Sequence, residues 1–408
     1  MSDKVIYFDN NDTTPLVEPV LQAMIPYFTV HYGNPASLHQ LGLEAEEAVS
    51  EARAAIAGYL GASPEELIFT GSATEANNLA ILGAAGMASP RKRHLVTSKI
   101  EHSAVLNPMK RLEKSGFKVT YLEVDREGFV DPDDLRKALT DETLLVSLAH
   151  GNHEIGTLQD LQALGAVCRE RGVLFHSDAP QSFSKVPLDV GQVPVDLVSI
   201  NAHKLHGPKG IGALYVRRGV KLQKIMEGAP QESNLRPGTE NVPGAVGFAE
   251  AARIAFQDMT ADMTRVSALR DRLIDRLLEI PHTHVNGPRG ERRLATNADI
   301  TFKYIEGEAI LMHLSMRGVC VSSGSACSSK SLTPSNVLTA IGLKHEDAHG
   351  SIRFSFSKLN TFEEVDEAAE KVKEVVELLR SMTAFVPQIH SETEGEGEVF
   401  YKKKKEEF

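Results

Sequence analysis

The stretch Asp196-Leu-Val-Ser-Ile-Asn-Ala-His-Lys204-Leu-His-Gly-Pro-Lys-Gly210-Ile-Gly-Ala-Leu-Tyr-Val216 sets one lysine between two short apolar runs. Asp196 to Ile200 reads as a buried strand and Ile211 to Val216 as a second, with Gly207-Pro208 and Gly210 punctuating the turn between them. A lysine pinned in such a hairpin and shielded from water has its ammonium pKa pushed down and can form a Schiff base with a carbonyl. A surface hairpin with a solvated lysine fits the same pattern, so the flanking sequence has to decide.

Upstream of the hairpin, helical and strand periods alternate. Helices are expected at 42–60, 75–87, 103–115, 132–139 and 160–171, and strands at 67–70, 94–98, 117–123, 143–149 and 173–177. With the hairpin this makes seven strands, and alternation of this length means an α/β fold whose mostly parallel sheet is covered by helices on both faces. Sites in such sheets lie outside the carboxyl ends of the strands. Ahead of them, residues 1–40 read as a short strand (Val5 to Phe8), a turn, one helix and an ordered loop, Tyr32-Gly-Asn-Pro-Ala-Ser-Leu-His39.

Downstream, a long helical region from 241 to 280, broken near Asp262, leads to a second alternation. Strands are expected at 298–302, 318–322 and 350–356, and helices at 307–317, 335–341 and 362–381, forming a smaller α+β domain. The boundaries read as a large domain at 16–260, a small domain from 1–15 and 261–386, and a charged tail at 387–408. The tail runs Ser-Glu-Thr-Glu-Gly-Glu-Gly-Glu and then Lys402-Lys-Lys-Lys405, a composition that cannot bury a core.

With 408 residues, 42% hydrophobic and 24% charged, the composition is that of a globular protein able to bury a large core. A net charge of −11, from 55 acids against 44 bases, argues against nucleic-acid binding as the main task. No apolar run reaches the ~18 to 20 residues of a membrane span. The start has neither the basic region nor the apolar core of a signal peptide, so a cytoplasmic protein is expected. Cys168, Cys320 and Cys327 form no close pair of the kind that binds metal, and none is expected to ligate one.

Four chemical parts fall at strand ends. Phe69-Thr-Gly-Ser-Ala-Thr-Glu-Ala-Asn77 runs from strand through small residues into a helix start, a phosphate cradle or else a capping box with Thr74 as N-cap. Leu174-Phe-His-Ser-Asp-Ala-Pro-Gln181 ends a buried strand on Asp178, a carboxylate that needs a cation or donor. His102 follows another strand and can stack on a flat ring. With the hairpin lysine these are the parts of a pyridoxal phosphate site, where an Asp partners the pyridinium nitrogen.

The segments Gly71-Ser-Ala-Thr-Glu, Glu101-His102, Asn152-His-Glu-Ile-Gly-Thr, Asp178-Ala-Pro-Gln181, Ala202-His-Lys-Leu-His-Gly-Pro-Lys-Gly-Ile-Gly-Ala-Leu-Tyr, Arg236-Pro-Gly-Thr-Glu-Asn and Ser322-Ser-Gly-Ser-Ala-Cys327 resemble the cysteine desulfurase family of the NifS/IscS type. The resemblance spans about residues 5 to 382 and implies a fold-type-I pyridoxal phosphate enzyme that is a homodimer. It implies Lys204 as the lysine that carries the cofactor, Asp178 as the pyridinium partner and His102 as the stacking base. Ala73, Thr74, His203 and Thr239 from the other subunit would hold the phosphate. Gln181, with His153, would lie at the ring oxygen, and Asn201 would stand at a phosphate contact. Arg353 would clamp the substrate carboxylate, a task suited to a bidentate guanidinium, with Asn34 and Asp12 alongside.

Cys327 lies in a loop of small polar residues, whereas Cys168 and Cys320 sit in apolar patterns, so Cys327 is the expected thiolate nucleophile. L-cysteine would yield L-alanine, leaving a persulfide on Cys327 for a sulfur-acceptor protein such as an Fe–S scaffold or a thiolation pathway. Three positions depart from the family pattern. His153 replaces an Asn next to the ring oxygen and, if protonated, would alter the cofactor's chemistry. Asn201 replaces a serine but can still donate a hydrogen bond. Asp12 replaces an alanine near the substrate, where a carboxylate would repel another carboxylate or attract an amine. Two alternatives stay open: a pyridoxal phosphate lyase or transferase on another amino acid such as selenocysteine, and a weakly active sulfur-transfer scaffold.

Overall fold

Alternation of buried side chains along every central strand decides how the sheet is covered. Ile68, Leu95, Leu145, Leu197 and Leu214 point into one apolar core, while Leu67, Phe69, Val96, Val146, Phe175, Val198 and Ala213 point into a larger one on the opposite face. With period two, a strand apolar at every position must be covered on both sides. The computed structural model describes residues 5–323 and 335–383, and shows the consequence as a seven-stranded sheet with helices on both faces.

Across the sheet the strands run Leu67–Thr70, Gly212–Val216, Leu197–Asn201, Leu174–Asp178, Thr143–Ala149, His94–Ser98 and Lys118–Leu122. Only Gly212–Val216 runs antiparallel to its neighbours. The expected mostly parallel α/β sheet is therefore present, and the hairpin supplies its one reversed strand. Because the other six share a direction, Gly71, Asn201, Asp178, His150 and Lys99 all emerge at the same edge.

A third core gathers Ile6 and Phe8 with Val266, Leu269, Ile300, Ile310, Phe354 and Val372 from the later chain. Its sheet orders Ser322–Ser323, Ser351–Ser355, Asn297–Phe302 and Thr283–Asn286, all antiparallel. Val319–Cys320 leaves that sheet to pair in parallel with Ile6–Tyr7, so the single strand expected at 318–322 is two short ones in different sheets. The Thr283–Asn286 strand and the His345–His349 helix were too short to show a period in the sequence. The helix break falls at Asp258, which ends Val242–Gln257 and precedes Met259–Leu278. Asp262 lies instead in the first turn of the second helix, where its charge suits the helix dipole. No helix among the described residues is long and apolar enough to cross a membrane. Cys327 and the tail from 387 onward lie outside the described residues.

One ion pair ties the edge strand to the segment before Arg236. Glu232, whose side chain is only 2% exposed, accepts from Arg53 Nη1 at 2.6 Å, Arg53 Nη2 at 2.7 Å and the Phe69 amide at 2.8 Å. The backbone reaches this position through three left-handed residues, Glu232, Ser233 and Asn234, a conformation held only where surrounding contacts enforce it. Glu232→Ala leaves the Arg53 guanidinium with the Leu67 carbonyl but no carboxylate and the Phe69 amide without this acceptor, and denaturant unfolding should show a loss of about 3 kcal/mol. Glu232→Gln, which can still accept, should lose less.

Candidate active site

The helix Ala73–Gly86 begins directly after the Leu67–Thr70 edge strand. Ser72 is its N-cap: its side chain accepts from the Glu75 amide at 3.1 Å, and Glu75 in turn accepts from the Gly71 amide at 2.7 Å. The expected N-cap at Thr74 is thus two residues late, because Ser72 already has the extended backbone and the oxygen that a cap requires. Ala73 and exposed Thr74 fall in the first turn, whose N–H groups have no intrahelical acceptor and favour an anion. Gly212 passes beneath this turn so closely that a Cβ there would lie 2.7 Å from the Ser72 carbonyl carbon.

The Leu174–Asp178 strand delivers Asp178 to the same edge, opposite Ala149 and Ser199. The carboxylate is buried, which pushes its pKa up. His102, a hydrogen bond from Asn77 and Lys204 oppose that rise. Its Oδ1 has no hydrogen-bond partner within the protein. His102 caps the helix Ser103–Lys114, its Nδ1 accepting from the Ala104 amide at 3.0 Å. That contact assigns the ring proton of neutral His102 to Nε2. Burial and His153 lower the His102 pKa, so the neutral ring is the working form.

His153 meets His102 edge to face, with ring centroids 5.1 Å apart. Burial, then Arg353 and Lys204, push its pKa down to about 3. Burial and the two nearby cations therefore disfavour the protonated His153 considered from sequence. Its loop is rigid, since Asn152 Oδ1 accepts from the Glu154 and Ile155 amides and Asn152 Nδ2 donates to the Ile100 carbonyl.

Lys204 stands in the loop between the two hairpin strands, neither buried nor fully exposed. Thr14 holds that loop from outside, donating from its amide and hydroxyl to the His203 carbonyl and accepting from the His206 amide at 2.8 Å. His206 and Gly210 take left-handed backbone, which turns the chain back into the second strand. Lys204 shifts the pKa of Asp9, Asp12, His102, His153, Asp178 and Lys185, so its charge sits among them. Beside it, His203 contacts Thr13 Oγ1 at 3.2 Å and is held neutral by burial and by Lys204.

Arg353 arrives from the second sheet, fully buried in the Ser351–Ser355 strand. Its Nη2 donates to Asp12 Oδ1 at 2.7 Å and Asp9 Oδ1 at 3.2 Å, and its Nη1 to the His153 carbonyl at 3.2 Å. Burial and Asp12 push Asp9 up to about 6 despite Arg353. Burial also raises Asp12, but Arg353 and Lys204 more than offset it and keep Asp12 anionic.

Lys204, Asp178, His102, His153 and Arg353 are thus brought together with Asp12, Gln181 and Asn201. Gln181 donates to the Asn11 carbonyl at 3.0 Å. Asn34 and Thr239 are exposed and share no hydrogen bond or ion pair with the cluster among the described residues. Sequence reading missed Asp9, whose carboxylate shares Arg353 with Asp12; two acids three apart in one turn were the available signal. It also gave no role to Glu101, which is buried between Ser98 and the Ala149 amide and pushed up to about 8 by that burial.

Buried oxygens without donors concentrate here: Asp178 Oδ1, Gln181 Oε1, Asn201 Oδ1, Asn77 Oδ1 and Asn11 Oδ1. Buried polar atoms are normally satisfied, so such a group needs a missing partner. A protonated pyridine nitrogen fits Asp178, a ring hydroxyl fits the amide oxygens, and a phosphate fits the Ala73 helix terminus. The residues present fit pyridoxal phosphate.

The class-V aminotransferase family model matches residues 6–368. The cysteine desulfurase IscS of Methanosarcina thermophila is 46% identical, covering 95% of each chain. That of Dictyoglomus turgidum is also 46% identical, covering 93% of this chain and 96% of its own. A solved structure described as a NifS-like protein superimposes with a TM-score of 0.87 at 38% identity, covering 92% of this chain and all of the other. SspA in complex with cysteine superimposes at 0.78 with 37% identity, covering 86% and 99%.

Proposed function

This chain belongs to the class-V aminotransferase family, as a cysteine desulfurase of the NifS/IscS type, and we propose that it stores the sulfur of L-cysteine on Cys327 before passing it to an acceptor protein. It is a pyridoxal phosphate enzyme. The observation that carries the site assignment is Asp178, a buried carboxylate at a strand end with one oxygen unpartnered and Lys204 close enough to act on its charge. When bound, the cofactor supplies an aldehyde for the substrate amine and a ring that stores the electron pair left at Cα.

The protein's own groups do the rest in this reading. Asp178 accepts from the pyridine N–H and keeps it protonated. Neutral His102 covers the ring, with Gln181 and His153 around its edge and Asn201 toward the phosphate. Ala73, Thr74, His203 and Thr239 of the partner subunit hold the phosphate. Arg353 and Asn34 receive the substrate carboxylate, and Lys204 Nζ removes the α-proton and later returns one. Cys327 thiolate bonds to the substrate sulfur as the Cβ–S bond breaks, so L-cysteine and one thiol become L-alanine and one persulfide. Cys168 suits that task poorly, because burial pushes its thiol up to about 12, and burial also raises Cys320.

Four further elements belong to this reading. The division into 16–260 against 1–15 with 261–386 is supported by the separate core that Ile6 and Phe8 share with residues 266–379, while Val337, Leu338 and Ile341 cluster instead with Ile100 and Ile155 of the larger part. A homodimer is supported by exposed apolar side chains close together in the chain, with Phe28, Val30, Tyr32 and Leu43 at least half exposed and Leu38 at 93%. A cytoplasmic location suits a thiol that must stay reduced. The acceptor is a protein of Fe–S assembly or of a thiolation pathway.

Peptide mass spectrometry after one turnover of L-cysteine tests the sulfur carrier. One added sulfur is expected on the peptide holding Cys327 and none on those holding Cys168 or Cys320. Added sulfur on Cys320 instead would refute the assignment.

A further inference from the structure

Arg353 offers a carboxylate only part of its guanidinium. Its Nε is buried and has no acceptor, an unsatisfied charged donor that a ligand oxygen should fill. In a planar guanidinium Nε and Nη2 share one edge, and a carboxylate bound bidentately there takes both. Nη2 is already engaged twice, by Asp12 at 2.7 Å and Asp9 at 3.2 Å. A substrate carboxylate taking that edge must compete with both for Nη2.

Asp12 is the one able to go. Its side chain is 38% exposed against 22% for Asp9, so water waits to solvate it. It sits in the turn after Asp9, away from regular structure, while Asp9 is bridged to Ser355 of the Arg353 strand. Arg353 is fixed, with Nη1 on the His153 carbonyl and its side chain 3% exposed. The movable partner is therefore the acid and not the base.

We propose that Asp12 is a displaceable internal substitute for the substrate α-carboxylate, which holds Arg353 in place between turnovers and weakens the binding of every amino-acid substrate by competing for it. This rests on the reading that Arg353 receives the substrate carboxylate. Two functions follow from the one contact. Asp12 keeps a buried cation paired when the site holds no substrate, and it selects against ligands that cannot outbid an intramolecular carboxylate.

Calorimetric titration of the holoenzyme with L-alanine and with L-alaninamide, which lacks the carboxylate, separates the possibilities. Asp12→Ala and the more conservative Asp12→Asn should both bind L-alanine about three- to tenfold more tightly, the range of a partly screened ion pair. L-alaninamide should bind all three proteins alike, and Arg353→Ala should bind L-alanine more weakly. If both Asp12 variants bind L-alanine no better than the unmodified enzyme while Arg353→Ala weakens it, the displacement is wrong and the Arg353 reading stands. If Arg353→Ala binds L-alanine undiminished, the carboxylate goes elsewhere and both fall.

Discussion

Lys204→Ala is expected to lower L-alanine formation from L-cysteine by at least about 10⁴-fold, since it removes both the covalent attachment of the cofactor and the general base. The loop itself should survive. Thr14 grips the His203 carbonyl and the His206 amide, and the flanking strands pair from Leu197↔Val216 to Asn201↔Gly212, none of which uses the lysine side chain. Cofactor binding should also persist, because Asp178 and the Ala73 helix terminus remain, but borohydride should no longer fix the cofactor to the chain. Lys204→Arg should be as inactive, as a guanidinium does not give up its proton in the working range. Single-turnover alanine assays on cofactor-saturated protein are the measurement. Activity within tenfold of the unmodified enzyme would remove Lys204 from the chemistry.

How far the sequence could be read depended on the distance over which each interaction acts. The hairpin was legible because its two apolar runs and the glycines between them are local, and their strands came out within one residue of expectation. Thr74 and Asp262 were each placed a few residues off, since Ser72 and Asp258 are equally good helix-boundary residues and only backbone geometry chooses between them. The neutral state of His153 was illegible, as it arises from burial and from Arg353, 200 residues away. So was the Asp12–Arg353 pair, across 341 residues, which turns an apparent mismatch with the family into a contact with a defined partner. The Lys204 hairpin needed no such distance, but its role did: a strand, a turn and a strand also fit a solvated lysine, and only the segments far from it in the chain pointed to the cofactor.

Asp178→Asn should move cofactor affinity and stability in opposite directions, and that divergence is what identifies the residue. Breaking a buried pair by neutralising one partner costs about 3–5 kcal/mol, so pyridoxal phosphate should bind roughly 10²- to 10⁴-fold more weakly. In the protein stripped of cofactor the sign reverses. Burial raises the Asp178 pKa above its ordinary carboxyl value, so the folded state holds its proton to higher pH than the unfolded chain does. Stability from this group is then fully present below the ordinary carboxyl pKa and falls as pH rises through the raised one. An amide has no proton to lose, so stripped Asp178→Asn should be as stable as the parent at pH 4 and more stable at pH 8. With cofactor bound, the order at pH 8 should invert, because only the carboxylate gains the pyridinium as a partner. Thermal unfolding with and without pyridoxal phosphate at the two pH values measures all four states. Equal destabilisation with and without the cofactor would make Asp178 a structural member of the His102 and Asn77 network, and would leave the pyridine nitrogen without its proposed acceptor.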